Sequence, residues 1–374
     1  MLEGVHLTLM IGPAVPVPAP RVVMDALRSI SVTSGKDRSG FQITFAVGRD
    51  SPLLRVMLPA GYFDPITTRV LIIATVNGFP HVLMDGLVTQ QELAPSNEPG
   101  QSTLSITGED LSLAMDLVEM VIPYPQMPVI ARINLILAKY AVLGVVPVVI
   151  PTIIPIAEVV THGFETQTTT DRAFIKTLAR SAGYVFYVEP GPAPGTSIAY
   201  FGPDIRVPTP QPALNIDMDA ATNVESLNFS LDGLAKKLTV VTILEPGTGT
   251  IPIPVPIPNL NIFRPPMGLR PTAPARIEFN SDFAKLTPDK AASKILGLLM
   301  NNGDAVSASG SLDVLRYGRP LRSRAMVGVR GAGLAYDGLY YVDSVTHKIK
   351  PGEYKQSFTL GRDGLISNTP KVVP

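Results

Sequence analysis

Along most of the chain, apolar and polar residues alternate with a period of two. In residues 41–47, Phe41, Ile43, Phe45 and Val47 share one face, while Gln42, Thr44 and Ala46 share the other. That pattern predicts a half-buried antiparallel strand. Residues 69–76 read as a more fully buried strand. Asn77-Gly78 supplies the turn chemistry that returns the chain along 82–89. The same reasoning predicts strands at 103–107, 184–188, 198–201, 226–231, 237–244, 307–317, 325–329, 339–347 and 354–360.

Three stretches change to helical spacing. Residues 129–143 carry Ile130, Ile133, Leu137 and Tyr140 on one face and stop at Gly144. Thr170 is placed to cap a second helix, with Asp171 complementing its dipole, Phe174, Ile175, Leu178, Ala179 and Ala182 as the buried stripe, and Gly183 as the stop. A third is predicted from Thr287-Pro288-Asp289 through Ile295, Leu298 and Leu299 to Asn302-Gly303. The fold class is therefore mainly β with α (α+β).

A weak internal repeat is visible. Met84-Asp85-Gly86, then Pro99-Gly100, then Gly108-Glu109-Asp110-Leu111 is echoed by Val342-Asp343-Ser344, Pro351-Gly352 and Gly361-Arg362-Asp363-Gly364-Leu365. Either one β-domain occurs twice, near each end of the chain, or two unrelated hairpins share common turn residues.

Two proline tracts, 13–20 and 251–258, alternate Pro with Ala, Val or Ile. Such chain is stiff and extended, and a free linker would carry polar residues instead. Pro16, Pro18, Pro252, Pro254 and Pro256 are therefore expected in arms lying on a neighbouring subunit. Prolines also shape the membrane question. Residues 140–157 are uncharged, but Pro147, Pro151 and Pro155 would break a spanning helix. The N-terminal apolar stretch lacks a basic segment and is broken at Pro13, Pro16, Pro18 and Pro20, unlike a secretory signal.

Composition narrows the chemistry. The 374 residues contain no Cys, which excludes disulfides and thiolate chemistry. His6, His81, His162 and His347 are scattered, with no metal-ligand or triad spacing, and His347 reads as a surface or partner-contact residue. The chain carries no nucleophile elbow and no phosphate loop. The Gly-rich run 328–333 reads as a tight bend, and Glu109-Asp110 as the acidic start of a short helix. No catalytic residue, cofactor or metal is expected, so the reading is non-enzymatic.

Formal charge balances at 31 basic and 31 acidic residues, but the signs are segregated. Between Arg69 and Arg132 there are only acids: Asp85, Glu92, Glu98, Glu109, Asp110, Asp116 and Glu119. Between Asp313 and Asp337 there are only bases: Arg316, Arg319, Arg322, Arg324 and Arg330. With few aromatics and no nucleic-acid motif, contact between acidic and basic regions of different copies is the expectation, with Glu109, Asp110, Arg316, Arg319, Arg322 and Arg324 at the interface.

Several segments together resemble the baseplate hub proteins of contractile phage tails and injection systems, the late control protein D family, which includes the hub part of type VI secretion spikes. They are residues 82–86 leading to 107–111, Tyr124-Pro125-Gln126-Met127-Pro128 before the first helix, 170–175 through 183–187, and 340–347 with 352–354 and 358–360. The wording at 9–13 and 39–42 is most similar to hubs of extracellular-type injection systems.

The resemblance implies a homotrimeric ring in which each chain contributes two similar antiparallel β-barrel domains, adapting a three-fold central spike to a six-fold inner tube. It implies a first barrel at 1–118, a helix-containing accessory domain at 119–215, and a second barrel at 216–245 and 304–366. A proline-rich arm and helix would be inserted at 246–303, with a tail at 367–374. No needle or lysozyme-like segment follows, so the spike is expected to be a separate polypeptide. The implied partners are further copies of the chain, the spike protein, the inner tube protein, other baseplate proteins and cargo in the lumen. Assembly in the bacterial cytoplasm, without nucleic-acid binding or membrane insertion, goes with this. The rival readings are a cell-wall hydrolase and a pore-forming secreted protein.

Overall fold

The computed structural model describes the chain except residues 1–3, 14, 37–38, 99, 126, 153–164, 207–209, 245–251, 258–263, 281–294, 296, 300–302 and 370–374. In chain order the strands are β1 Val5–Pro13, β2 Val17–Pro18, β3 Leu27–Gly35, β4 Ser39–Ala46, β5 Thr68–Val76, β6 Phe79–Ala94, β7 Thr103–Asp110, β8 Ile122–Tyr124, β9 Val145–Val149, β10 Glu165–Gln167, β11 Val185–Pro190 and β12 Ser197–Gly202. They continue as β13 Gln211–Asn215, β14 Ser226–Leu231, β15 Lys237–Leu244, β16 Pro252–Ile257, β17 Gly268–Pro271, β18 Arg276–Asn280, β19 Val306–Asp313, β20 Met326–Arg330, β21 Gly338–Lys350, β22 Glu353–Arg362 and β23 Gly364–Ser367. The α-helices of five residues or more among the described residues are α1 Arg21–Asp25, α2 Val129–Ala138 and α3 Asp171–Ala182.

Thirteen strands form one sheet whose main path is β14-β19-β22-β21-β3-β4-β7-β6-β5-β1-β2, with β20 and β13 branching from β21. Two successions within it have the same form. In the N-terminal half the spatial order is β3-β4-β7-β6-β5-β1, and in the C-terminal half it is β14-β19-β22-β21-β20-β13. Numbered by appearance within each half, both read second, third, sixth, fifth, fourth, first. They differ at one end, where β1 runs antiparallel to β5 and β13 parallel to β20. Each half also has a short helix after its third strand, at Leu53–Met57 and Val314–Tyr317.

The long hairpins share a further mark. A register shift lies between Val88 and Gln90 where β6 meets β7, and another between Val342 and Ser344 where β21 meets β22. Matching these bulges pairs Thr89 with Asp343. The repeat visible in the sequence instead pairs Asp85 with Asp343, four residues away, because a shared Asp is visible in the letters and a backbone irregularity is not.

The two halves are not separate bodies. β21 pairs with β20 through Met326↔Tyr341 and, beyond its bulge, with β3 from Ser344↔Gly35 to Ile349↔Ile30. One apolar core runs under both, from Leu9, Ile43 and Phe45 to Val327, Tyr354 and Leu360. No closed barrel forms among the described residues, since the pairing path ends at β14 and at β2.

A second core lies under the predicted accessory region. It contains Leu111, Ile133, Leu137, Phe174, Ile175, Leu178, Phe186 and Phe201. α3 matches its sequence pattern: Thr170 Oγ1 accepts from the Ala173 N–H at 3.2 Å, and Gly183 ends the helix at φ 69°. α2 is shorter than predicted, because the chain breaks after Ala138 into a 3-10 turn at Ala141–Leu143. The third predicted helix lies mostly outside the described residues, with only Ile295 and 297–299 seen as helical.

Among the described residues, each proline tract supplies an edge strand to this chain's own sheets, Val17–Pro18 from the first and Pro252–Ile257 from the second. β2 folds back on β1 through Met10↔Pro18, with Pro16 buried and Pro18 exposed. β16 lies at the edge of the order β16-β15-β18, with Pro254 opposite Thr242 and Pro256 opposite Val240. Prolines two residues apart remove N–H groups from the same edge of a strand, so Pro254 and Pro256 can both face away from β15 without breaking the ladder. Pro147 is tolerated for a related reason, since β9 is an edge strand parallel to β12.

Candidate assembly surfaces

Period-two alternation buries one side of the large sheet and leaves the other polar. Across β14, β19, β22 and β21, the residues Asn228, Ser309, Thr359 and Ser344 lie side by side; across β3, β4 and β7, so do Ser31, Gln42 and Thr107. Their hydroxyls are tied to one another. Thr33 and Thr346 are 3.1 Å apart, Ser344 and Thr359 2.7 Å, and Ser226 and Ser311 2.9 Å. A concavity of about 320 Å³ lies on this face, lined among others by Ser226, Asn228, Ser309, Thr346, Ser357 and Thr359. Such a surface offers short neutral hydrogen-bonding groups and little apolar area to hold a passing chain.

A separate apolar concavity of about 490 Å³ lies between β1, α1 and the β21–β22 turn, lined by Leu7, Leu9, Pro18, Met24, Ile349 and Tyr354 among others.

Buried ion pairs dock the accessory core onto the sheet. Arg69 Nε and Nη2 donate to the two carboxylate oxygens of Asp85 at 2.7 and 2.6 Å, with both side chains nearly solvent-free. Arg69 Nη2 also donates to the Gly195 carbonyl at 3.0 Å, and Ser197 Oγ to Asp85 at 3.2 Å. Arg324 stacks over the Tyr187 ring at 4.1 Å, lies 3.9 Å from Glu189 and donates to the Gly35 carbonyl. Burial raises the Glu189 carboxyl above its usual range, and Arg324 and then Arg322 act against that rise. Asp204 accepts from Tyr341 Oη at 2.9 Å and from Arg264, while Arg206 pairs with Asp304 at 2.8 Å.

The predicted interface residues therefore fall into three groups. Asp110 is buried and caps the 3-10 helix Leu111–Asp116, accepting from the Ser112 N–H at 2.8 Å. Glu109 is half-buried and faces Arg172 at 3.5 Å, which also faces Asp116 at 3.4 Å. Arg324 is half-buried in the contact just described. Among the described residues, Arg316, Arg319 and Arg322 are exposed and make no ion pair. Arg319 and Arg322 stand near β6: burial first, then Arg322 and Arg319, hold His81 below the usual imidazole value. Glu92 is exposed at the far end of β6.

His347 is a correction to the sequence reading. It is 5% exposed, inside the core, with Nδ1 2.8 Å from Tyr354 Oη and 3.2 Å from Gln356 Nε2. Among the described residues there is no cluster of acids and histidines able to hold a metal ion, and no helix is long and apolar enough to cross a membrane.

The joining strand β3 is not among the predicted strands, although the alternation of Ile30 and Val32 with Ser31 and Thr33 is a usable signal. Nothing in the sequence points to its partner being β21, more than 300 residues away.

No protein-family model matches the chain, and no curated protein does. Solved structures do. A tail protein from Neisseria meningitidis MC58 superposes with a TM-score of 0.60 at 15% identity, covering 97% of this chain and 98% of that one. The 43 kDa tail protein of prophage MuSo2 from Shewanella oneidensis gives 0.59 at 15% identity, covering 96% and 99%. An E. coli type VI secretion component, described as similar to T4 bacteriophage tail proteins gp27 and gp5, gives 0.53 at 11% identity, covering 93% and 77%. The chain thus has the fold of phage-tail and type VI secretion structural proteins over nearly its whole length.

Proposed function

We propose that this chain is the baseplate hub of a contractile injection system or phage-like tail: a homotrimer that joins a three-fold central spike to a six-fold inner tube. The observation that carries this reading is the strand order that occurs twice in one chain. If each half is one unit of a ring, three chains supply six similar units, which is the arithmetic a three-to-six adaptor needs. Full-length likeness to tail and type VI secretion proteins supports it.

In this reading the Ser/Thr face lines the lumen, where small neutral side chains let cargo or tube components pass without adhering. The exposed Arg316, Arg319 and Arg322 steer contact with acidic regions of a neighbour, and Pro254 and Pro256 contact a partner through side chains rather than strand pairing. The partners are the spike, the inner tube and other baseplate proteins, and assembly takes place in the bacterial cytoplasm. The role is structural, with no catalytic step. Images of particles carrying a tagged chain test it directly: density for the tag is expected between spike and tube. Density elsewhere, or particles complete without the chain, would overturn the proposal.

A further inference from the structure

Two open strand edges on this chain have a built-in template for their partners. β21 uses one edge twice: before its bulge it pairs with β20, and after it with β3. β6 matches β21 in the strand succession and in the bulge. Its segment before Thr89 pairs with β5, as β21 does with β20. Beyond Thr89, residues Gln90 to Ala94 pair with β7 on one side and, among the described residues, with nothing on the other, and all are exposed. β14 matches β3, and it too is paired on one side only, to β19. The chain therefore presents one half of the β21–β3 junction at each end of its eight-strand face.

We infer that the open edge of β6 in one copy pairs antiparallel with β14 of a second copy, repeating between chains the junction that β21 and β3 make within one. This rests on the ring reading above and adds its contact and register. The register follows from residues at the bulges. Thr107, Gln42 and Ser31 stand side by side across β7, β4 and β3, and Thr359, Ser309 and Asn228 do so across β22, β19 and β14. Ser31 thus corresponds to Asn228. Within the chain Ser31 pairs with Lys348, five residues past the β21 bulge, and the residue five past the β6 bulge is Ala94.

Ala94 therefore lies opposite Asn228, Leu93 opposite Phe229, Glu92 opposite Ser230, Gln91 opposite Leu231 and Gln90 opposite Asp232. The chemistry agrees with this register. Leu93 and Leu231, each 43% exposed, fall on the core side with Phe229 and become covered. Gln90, Glu92, Asn228 and Ser230 fall on the polar side and continue the Ser/Thr face without interruption. A slip of one residue would exchange those faces.

Because the chain has no cysteine, paired thiols test the register cleanly. Directly opposed residues in an antiparallel pair have Cα atoms about 4.5–5.5 Å apart, which a disulfide can bridge, whereas a displacement of two residues takes them out of reach. Within one chain, β6 and β14 are seven strand steps apart along the sheet, so any bond must join two copies. The E92C/S230C double variant is oxidised and compared, on non-reducing gels and by light scattering, with E92C/N228C and with each single variant; all three positions are exposed.

Loss of the monomer band to a ladder ending at three chains is expected for E92C/S230C alone. Trimers that form without that cross-link would overturn this pairing while leaving the ring reading intact. A chain that stays monomeric and uncross-linked at high concentration would remove both. Equal cross-linking of the displaced pair would refute the register.

Discussion

His347 makes the core of the second half sensitive to acid. The Gln356 amide is oriented by the Leu321 backbone, whose N–H donates to Oε1 at 2.8 Å and whose carbonyl accepts from Nε2 at 2.9 Å. Nε2 therefore points a hydrogen toward His347 Nδ1, which must accept, so the imidazole is neutral and carries its proton on the other nitrogen. Protonating Nδ1 would set two donors against each other in a buried site. Burial, with a smaller contribution from His81, lowers the pKa from 6.5 to about 3.

The unfolded chain binds this proton near pH 6.5 and the folded chain does not, so stability is full above that pH and falls as pH drops toward 3. Linkage puts the loss between pH 7 and pH 5 at about 2 kcal/mol for this residue. Asp110, Glu189 and Asp343 have carboxyls raised by burial and favour the folded state as pH falls, so the wild-type slope alone mixes opposing effects. Comparison with His347→Gln cancels them. In urea unfolding at both pH values, the wild-type chain is expected to lose about 2 kcal/mol more than the variant. Equal losses in the two proteins would show that His347 is not held neutral by the core.

Three other outcomes follow from the packing. Asp85→Ala leaves Arg69 buried against the Gly195 carbonyl without its carboxylate, and should lower unfolding stability by about 3–5 kcal/mol in denaturant titration. A loss under 1 kcal/mol would mean water reaches the site. Gly108→Ala places a methyl 2.3 Å from both the Leu87 carbonyl oxygen and the Phe41 ring, so a loss of at least about 1–3 kcal/mol is expected, and a neutral substitution would contradict the close β6–β7 approach. Thr170→Ala removes the α3 cap and should cost about 1 kcal/mol, read as faster hydrogen exchange in the first turn of α3, and unchanged exchange there would argue against the cap.

Much of the strand and helix content was legible from periodicity. The predicted strands at 226–231 and 237–244 match β14 and β15, and the α3 stripe is buried as its spacing demanded. β1 is not among the predicted strands although Val5, Leu7, Leu9 and Ile11 alternate, because an apolar N-terminal stretch broken by prolines also has the look of a failed targeting segment. The predicted strand 307–317 runs on through residues 314–317, where the chain is helical instead. There Asp313 Oδ1 accepts from the Leu315 N–H at 2.8 Å and starts a helical turn. The burial of His347 was not legible, since a histidine in an alternating strand carries no mark of which face meets the core.

By itself the sequence determined what is local: which segments are strands, where helices are capped, which residues bend the chain, and that thiol chemistry is absent. Alternation, capping and turn formation act over a few residues, so their causes sit next to their effects. Tertiary structure alone decided what is distant. β3 joins β21 across more than 300 residues, Arg69 and Asp85 lock to Ser197, and the two halves share a strand order that their side chains hardly reveal. Strand pairing is made by backbone groups common to every residue, so a chain can repeat its topology with little trace in the letters.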